Sequence, residues 1–359
     1  MVEDTADNGV DGGAEGSVLP GLVVLRSEMA RQNADALCSF EAARLDAEQI
    51  AARIRATGRV TLLGMGASHW ANRMVLTAYR RAGVLAAAQV MSEAMRQPRQ
   101  PGGVTLLTSQ SGGSGEIKAW FERFRAVDDQ YGLTLVADSF LARAAPCLIA
   151  PVEREQAFAA TRSIMVTLAL HAAILDALGG EALASEIAPL LDLWRADAPL
   201  PALPSRAIAA LADCRALYLS ARMPIHPVLE ATALTFMELA RTPALALEIG
   251  QLLHGPMETL SPGIALVLAR QAGEDAATVT GVAEAAVRLG LTPILFDMSG
   301  GAPVEDAVTI PLPALEGLPA LATFLPAAQA LAIEAAALRI GEGFGTPLRS
   351  SKVTDGESL

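Results

Sequence analysis

The sequence is short of several things, and each shortage closes off a class of function. Only three cysteines, Cys38, Cys147 and Cys214, occur among 359 residues. They are odd in number, widely scattered and set in apolar or helical contexts, so neither a disulfide framework nor a thiolate metal site fits. Positive charge is scarce as well. With 27 Lys and Arg against 39 Asp and Glu, the formal net charge is −12, and a nucleic-acid surface needs clustered basic residues that this chain lacks. No run of about 18 uncharged apolar residues appears, and the opening M-V-E-D-T-A-D-N-G-V-D-G-G-A-E-G is acidic rather than basic-then-apolar. Neither a membrane span nor a signal peptide is expected, which points to the cytoplasm.

What is present is apolar and globular. A hydrophobic content of 52% and a mean hydropathy of +0.36 supply ample core for a chain of this length, enough for about two domains. Residues 1–18, rich in Gly, Asp and Glu with little to bury, read as a disordered tail. Two amphipathic helices over 23–37 and 43–56 are expected next, then a strand at 60–63, the turn Gly64-Met65-Gly66-Ala67-Ser68 and a helix over 70–82. Strand signals follow at 84–90, 104–107, 133–137 and 148–152, with helices between several of them and a long helix over 159–178. That alternation is the signature of a doubly wound parallel sheet. Pro189, Pro199, Pro201 and Pro204 mark a helix and then a connector, and beyond them the plan repeats. Strands are expected at 216–220, 244–249, 264–268, 293–296 and 308–310, and helices over 228–240, 276–289 and 320–340. The resulting division is a tail 1–18, a first domain 19–200, a second domain 201–345 and a C-terminal tail 346–359, with two sheets of one kind suggesting internal duplication.

The stretch with the most chemistry is V-T-L-L-T-S-Q-S-G-G-S-G-E, residues 104–116. An apolar strand here empties into hydroxyls and glycines just ahead of a helix, where free backbone N–H groups and the helix dipole attract an anion. Two readings stand: a phosphate cradle, or an ordinary Ser/Gly turn capping a helix. A bound phosphate would have to be held by local donors against an acidic overall field. The turn at 64–68 is a second anion-type turn, but no third glycine or downstream acid completes a dinucleotide fingerprint, which excludes the nicotinamide reading. Glu238 lies among Ala233, Leu234, Phe236, Met237 and Leu239; an acid in so apolar a helix either has a chemical task or pairs on the solvent face. His254 precedes Gly255-Pro256, at a chain turn, and its imidazole titrates in the range useful for proton transfer. His171, in an apolar helix, reads as a core residue, and His69 as a helix-start residue.

Taken together, G-M-G-A-S at 64–68, S-Q-S-G-G-S at 109–114, E-Q-A-F-A-A-T-R-S at 155–163, L-L-H-G-P-M at 252–257 and S-S-K-V-T at 350–354 resemble the double sugar-isomerase (SIS) domain family. The chain is similar to the isomerase half of glutamine–fructose-6-phosphate aminotransferase and to stand-alone glucosamine-6-phosphate deaminases of SIS type. The resemblance covers residues 25–355 and implies an α/β fold of two doubly wound, flavodoxin-like SIS domains in tandem. It implies a sugar phosphate on Ser109, Gln110, Ser111 and Ser114, with Gly66, Ser68, Ala160 and Thr161 contributing. It implies Glu238 as the carboxylate that moves a proton between C1 and C2, and Lys352 as an amine folded back over the sugar. It implies that His254 opens the ring and is lent across a homodimer with shared sites. The implied reaction is conversion of a hexosamine 6-phosphate and water to fructose 6-phosphate and ammonia, with no metal or other cofactor. Deglycation of an amino-acid–sugar phosphate adduct, isomerisation of another sugar phosphate, and a non-catalytic phosphosugar sensor are the alternatives. The chain departs from the family pattern at Thr235, where a lysine is usual, at Ala67, at Arg162 and in P-L-R-S-S-K at 347–352.

Overall fold

The computed structural model describes residues 19–97, 102–125 and 127–349; the expected tail over 1–18 and Lys352 lie outside them. In chain order the first half runs α1 (Pro20–Thr57), β1 (Arg59–Gly64), α2 (Gly66–Met74), α3 (Leu76–Arg81), β2 (Leu85–Val90), α4 (Met91–Ala94), β3 (Val104–Thr108), α5 (Gly115–Phe124), β4 (Gln130–Thr134), α6 (Phe140–Ala144), β5 (Cys147–Ile149), α7 (Arg162–Leu178) and α8 (Glu181–Ala196). The second runs α9 (Ser205–Asp213), β6 (Ala216–Ala221), α10 (His226–Ala240), β7 (Ala244–Glu248), α11 (Ile249–Leu253), β8 (Ile264–Gln271), α12 (Ala276–Arg288), β9 (Ile294–Met298), β10 (Val308–Pro311) and α13 (Gly317–Ile340).

Each half forms one five-stranded parallel sheet, in the order β2-β1-β3-β4-β5 and β10-β9-β8-β6-β7. The expected tandem of doubly wound sheets is therefore what the chain builds. All five residues of β3 and of β9 are buried, as continuous apolar strands between two helical layers require. In each sheet the order reverses once, between β1 and β3 and between β6 and β8. Ligands in open parallel sheets bind outside the carboxyl ends of the strands at such a reversal. Register makes the first of these a usable site: Leu63 pairs with Leu107, so the turns after β1 and β3 leave the sheet side by side.

One hydrophobic core joins the halves. It includes Leu62 and Leu106 of the first sheet, Leu219 and Phe296 of the second, and Phe236 and Phe324 of the helices. The helix α13 packs against α10, α9 and α8. Among the described residues it is the one helix long and apolar enough to cross a membrane by length and composition, and 78% of its most apolar window is buried inside the protein. Helix α1 lies along α7 and starts against the C-terminal segment, where a Cβ on Gly21 would come within 2.2 Å of the Phe344 carbonyl oxygen.

Several expected boundaries move for physical reasons. The two helices expected over 23–37 and 43–56 are one helix, α1, of 38 residues. Nothing in Cys38 to Ala42 breaks it: Ser39 Oγ donates back to the Asp35 carbonyl at 2.6 Å, and Phe40 is buried against Trp194, ring centroids 6.4 Å apart. Proline at its first turn starts it, and Gly58, at φ 65°, ends it. The helix expected over 70–82 begins earlier, at Gly66, and is divided at Val75. The strand expected at 133–137 runs instead from Gln130 to Thr134. Its polar first residue is buried yet satisfied, because Gln130 accepts from Trp120 Nε1 at 2.6 Å and donates to the carbonyls of Phe124 and Val127. Period alone cannot foresee such a satisfied glutamine.

Candidate active site

The turns after β1 and β3 line a hollow of about 390 Å³ together with α10 and the segment before α7. From the first turn come Gly66 and Ser68, from the second Ser109, Gln110, Ser111 and Ser114, from the segment before α7 Arg154, Phe158 and Ala160, and from α10 Leu234 and Glu238. Of the positions read from the sequence, eight are thus brought together. Thr161 sits behind the wall, His254 is exposed and outside the hollow, and Lys352 lies beyond the described residues.

The second turn is built as the sequence suggests. Ser114 caps α5, its hydroxyl oxygen accepting from Ile117 N at 3.4 Å. Ser109 Oγ accepts from Gly112 N at 3.2 Å, and Ser111 Oγ from Gly113 N at 3.4 Å. Each hydroxyl so engaged keeps its own hydrogen to donate to an anion. Gly112 has φ 59°, and a Cβ there would fall 2.2 Å from Ser139 Oγ; glycine is required on both counts. Gly66, at φ 49°, is required for its backbone alone, since the nearest atom to a Cβ is 3.8 Å away.

Gln110 contributes differently from the expectation of a phosphate-facing amide. Its Nε2 donates to Glu155 Oε2 at 3.1 Å. Glu155, 2% exposed, is the hub that sequence reasoning passed over although it opens the E-Q-A-F-A-A-T-R-S motif. Its Oε1 accepts from Thr161 N, Thr161 Oγ1 and Arg162 N at 2.7–2.8 Å, and its Oε2 accepts from Ser163 Oγ. One carboxylate therefore ties the serine turn after β3 to the start of α7. Arg162, wholly buried, extends the tie to α1 by donating to Glu28 and, at 2.7 Å, to Asp35. The expected place of a lysine is filled by an arginine because its fork reaches two acids and the Glu153 carbonyl at once.

Beneath the turns lies a buried polar relay. Thr108 Oγ1 donates to Asn72 Oδ1 at 2.8 Å, His171 Nε2 meets the same oxygen at 3.0 Å, and Tyr79 OH meets His171 Nδ1 at 3.1 Å. Burial pushes His171 down to about 3, so the ring is neutral, with Nε2 donating and Nδ1 accepting from the tyrosine. The reading of His171 as a satisfied core residue holds.

The hollow's charged groups are Glu116, Glu238 and Arg154. Glu238 is half-buried on α10, and it comes from the second half of the chain while the serine turn after β3 comes from the first. Thr235, one turn earlier, is buried with its hydroxyl donating to the Ala231 carbonyl at 3.1 Å; it supplies neither an amine nor a proton carrier to the hollow.

The reversal in the second sheet makes a cleft of about 320 Å³ lined by Arg222, Met223 and Pro224 after β6 and by the segment from Gln271 to Asp275 after β8. Arg222 is held there by Glu248 and, at 3.0 Å, by Asp275. Just below, Arg270 and Asp297 form a buried two-point pair at 3.0 and 2.8 Å.

No protein-family profile matches the chain, and no curated protein matches it in sequence. Solved structures do. A tagatose-6-phosphate ketose/aldose isomerase from Escherichia coli superposes with a TM-score of 0.76 at 16% identity, over 96% of this chain and 100% of that one. The C-terminal domain of glucosamine–fructose-6-phosphate aminotransferase from Francisella tularensis gives 0.75 at 16% identity, over 88% and 96%. A glucosamine-6-phosphate deaminase from Thermotoga maritima gives 0.70 at 18% identity, over 92% and 99%. With two parallel sheets matched across nearly the whole of each partner, the chain has the tandem sugar-isomerase (SIS) fold of these structures.

Proposed function

We propose that the protein is a phosphosugar aldose–ketose isomerising enzyme that acts on an amino sugar phosphate. One observation carries the reading: a hydroxyl-lined anion turn from the first sheet and a carboxylate in an apolar helix of the second line one hollow. The phosphate is held by the hydroxyls of Ser109, Ser111 and Ser114 and by the α5 N-terminus. Glu238 then takes the proton from one of C1 and C2 of the open-chain sugar and returns it to the other. On a hexosamine 6-phosphate the C2 proton moves to C1, the imine left at C2 adds water, and fructose 6-phosphate and ammonia are released. The similarity to structures named for sugar-phosphate isomerisation and deamination supports this choice. His254 lies outside the hollow of its own copy, so in this reading it serves the hollow of a second copy and the protein works as a homodimer.

The test is turnover in heavy water. Purified protein is given hexosamine 6-phosphate, and ammonia, ketose phosphate and deuterium at C1 and C2 are recorded for the wild type and for Glu238→Gln. The variant keeps shape but loses the base, so kcat falls on the order of 10²–10⁴-fold while affinity is kept. Full activity in Glu238→Gln sinks the assignment. A second reading, a phosphosugar sensor, is favoured by the buried Thr235 where an amine is usual; tight binding of the sugar phosphate by the wild type with no deuterium exchange selects it.

A further inference from the structure

Away from both strand-order reversals, a hollow of about 400 Å³ opens where the two halves of the chain meet. It is lined by α1 from the first half, by α13 from the second, and by the exposed connector over residues 197–200 that runs between them. It shares no lining residue with the hollow of Glu238. The helical wall is apolar and buried: Met29 is 9%, Ala330 8% and Ile333 1% exposed, and Pro326 is buried beside them. Two polar ties close the sides. Arg26 donates to both carboxylate oxygens of Glu334, at 2.9 and 2.8 Å, joining α1 to α13. Asn33 Nδ2 donates to Asp197 Oδ1 at 2.9 Å, joining α1 to the connector. One polar group in the wall is left over. Gln32 is 2% exposed, and its Oε1 is buried with no hydrogen-bond partner among the described residues. An unpaired buried amide costs free energy, and a leucine would close the same wall without that cost.

We infer that this hollow is a binding site for a small uncharged molecule that has an apolar ring and an amide-type edge, the chemistry shared by carboxamides, lactams and nucleobases. Three features set that class. Met29, Pro326 and Ile333 match an apolar body. Arg26 and Glu334 already neutralise each other, so an ionised ligand would lose its hydration without gaining a partner. Gln32 presents an acceptor with donors beside it, and a group that answers both at once carries a donor next to an acceptor. A molecule seated there touches α1, α13 and the connector together, and so bridges the two halves at the point where the chain crosses between them. The site stands apart from the phosphosugar reading above.

Titration calorimetry on the full chain, as wild type and as Gln32→Leu, tests this with benzamide, acetophenone and benzoate. The three share one ring. Benzamide adds a donor and an acceptor, acetophenone an acceptor alone, and benzoate a charge. The wild type should take up one benzamide per chain, and hold it at least about tenfold more tightly than either of the others, the size of one hydrogen bond to a buried partner. In Gln32→Leu the affinity for benzamide should fall to that for acetophenone. No saturable uptake of benzamide by the wild type, equal affinity for the three compounds, or a preference for benzamide that survives in Gln32→Leu overturns the assignment. If the variant does not fold, the order of the three affinities in the wild type decides by the same criterion.

Discussion

The two sheets carry the same topology and the same kind of reversal, yet the clefts at the two reversals are chemically opposite. The first is walled by serines and a glycine backbone, with Arg154 and the carboxylates Glu116 and Glu238 at its edges. The second places Arg222 between Glu248 and Asp275 and has a buried Arg270–Asp297 pair beneath it. Donors in the first are left able to meet a ligand, whereas the cations of the second are already matched by the protein's own acids. A reversal in strand order offers a place for a ligand, and whether the place is used depends on whether its polar groups are satisfied internally.

If that contrast is right, damage to the second cleft should cost stability, and damage to the first should cost binding. The largest effect is expected from Asp297→Ala. Arg270 is 3% exposed, and stranding a buried cation costs about 3–5 kcal/mol. Burial opposes the charge on Asp297, but bonds from Arg270 and Ser299 outweigh it and hold the carboxyl below its ordinary range. Chemical denaturation should register the loss, while KM for sugar phosphate measured on the folded variant should stay within about threefold; a larger shift in KM would tie the second sheet to the site. Next is Ser111→Ala, which removes one hydroxyl donor from a charged ligand and should weaken sugar-phosphate binding by about 1–3 kcal/mol. Calorimetry would read that change, with the melting temperature nearly constant; unchanged affinity would show that the turn is only a cap.

A pH slope separates the two regions by what holds them. The relay through His171 lies under the first turns, and in the folded protein the ring protonates only near 3 against an ordinary 6.5. Between those values the unfolded chain binds a proton that the folded chain does not, so stability rises with pH. It is fully present above about 6.5 and is lost on acidification at up to about 1.4 kcal/mol per pH unit. Thermal melts from pH 7.5 to 5 should show the slope, and His171→Gln should flatten it. An equal slope in both proteins would assign the acid sensitivity elsewhere.

Much of this was legible in the sequence because it rests on local rules. The buried strand 104–108, the glycines at 66 and 112 and the cap at Ser114 follow from period, backbone and hydroxyl chemistry, and Glu238 stood out as an acid in an apolar helix. What escaped was set by partners far along the chain. Glu155 opened a motif but its task did not show there, since it is defined by Gln110, 45 residues earlier, and by the first turn of α7. Arg241 likewise drew no reading from the sequence, and its bonds to the carbonyls of Gly343 and Thr346 appear only in the fold. Continuity of α1 differs from the two helices expected because no residue from Cys38 to Ala42 breaks the backbone.

The close approach of Gly21 to Phe344 and Gly345 has a practical side. The start of the first helix and the last described segment meet, and that segment ends in residues lining the hollow beside Glu238. One wall of that hollow is thus braced against the first helix, opposite the connection between α10 and β7. A side chain at position 21 would therefore push that segment off the helix and reshape the rim of the hollow.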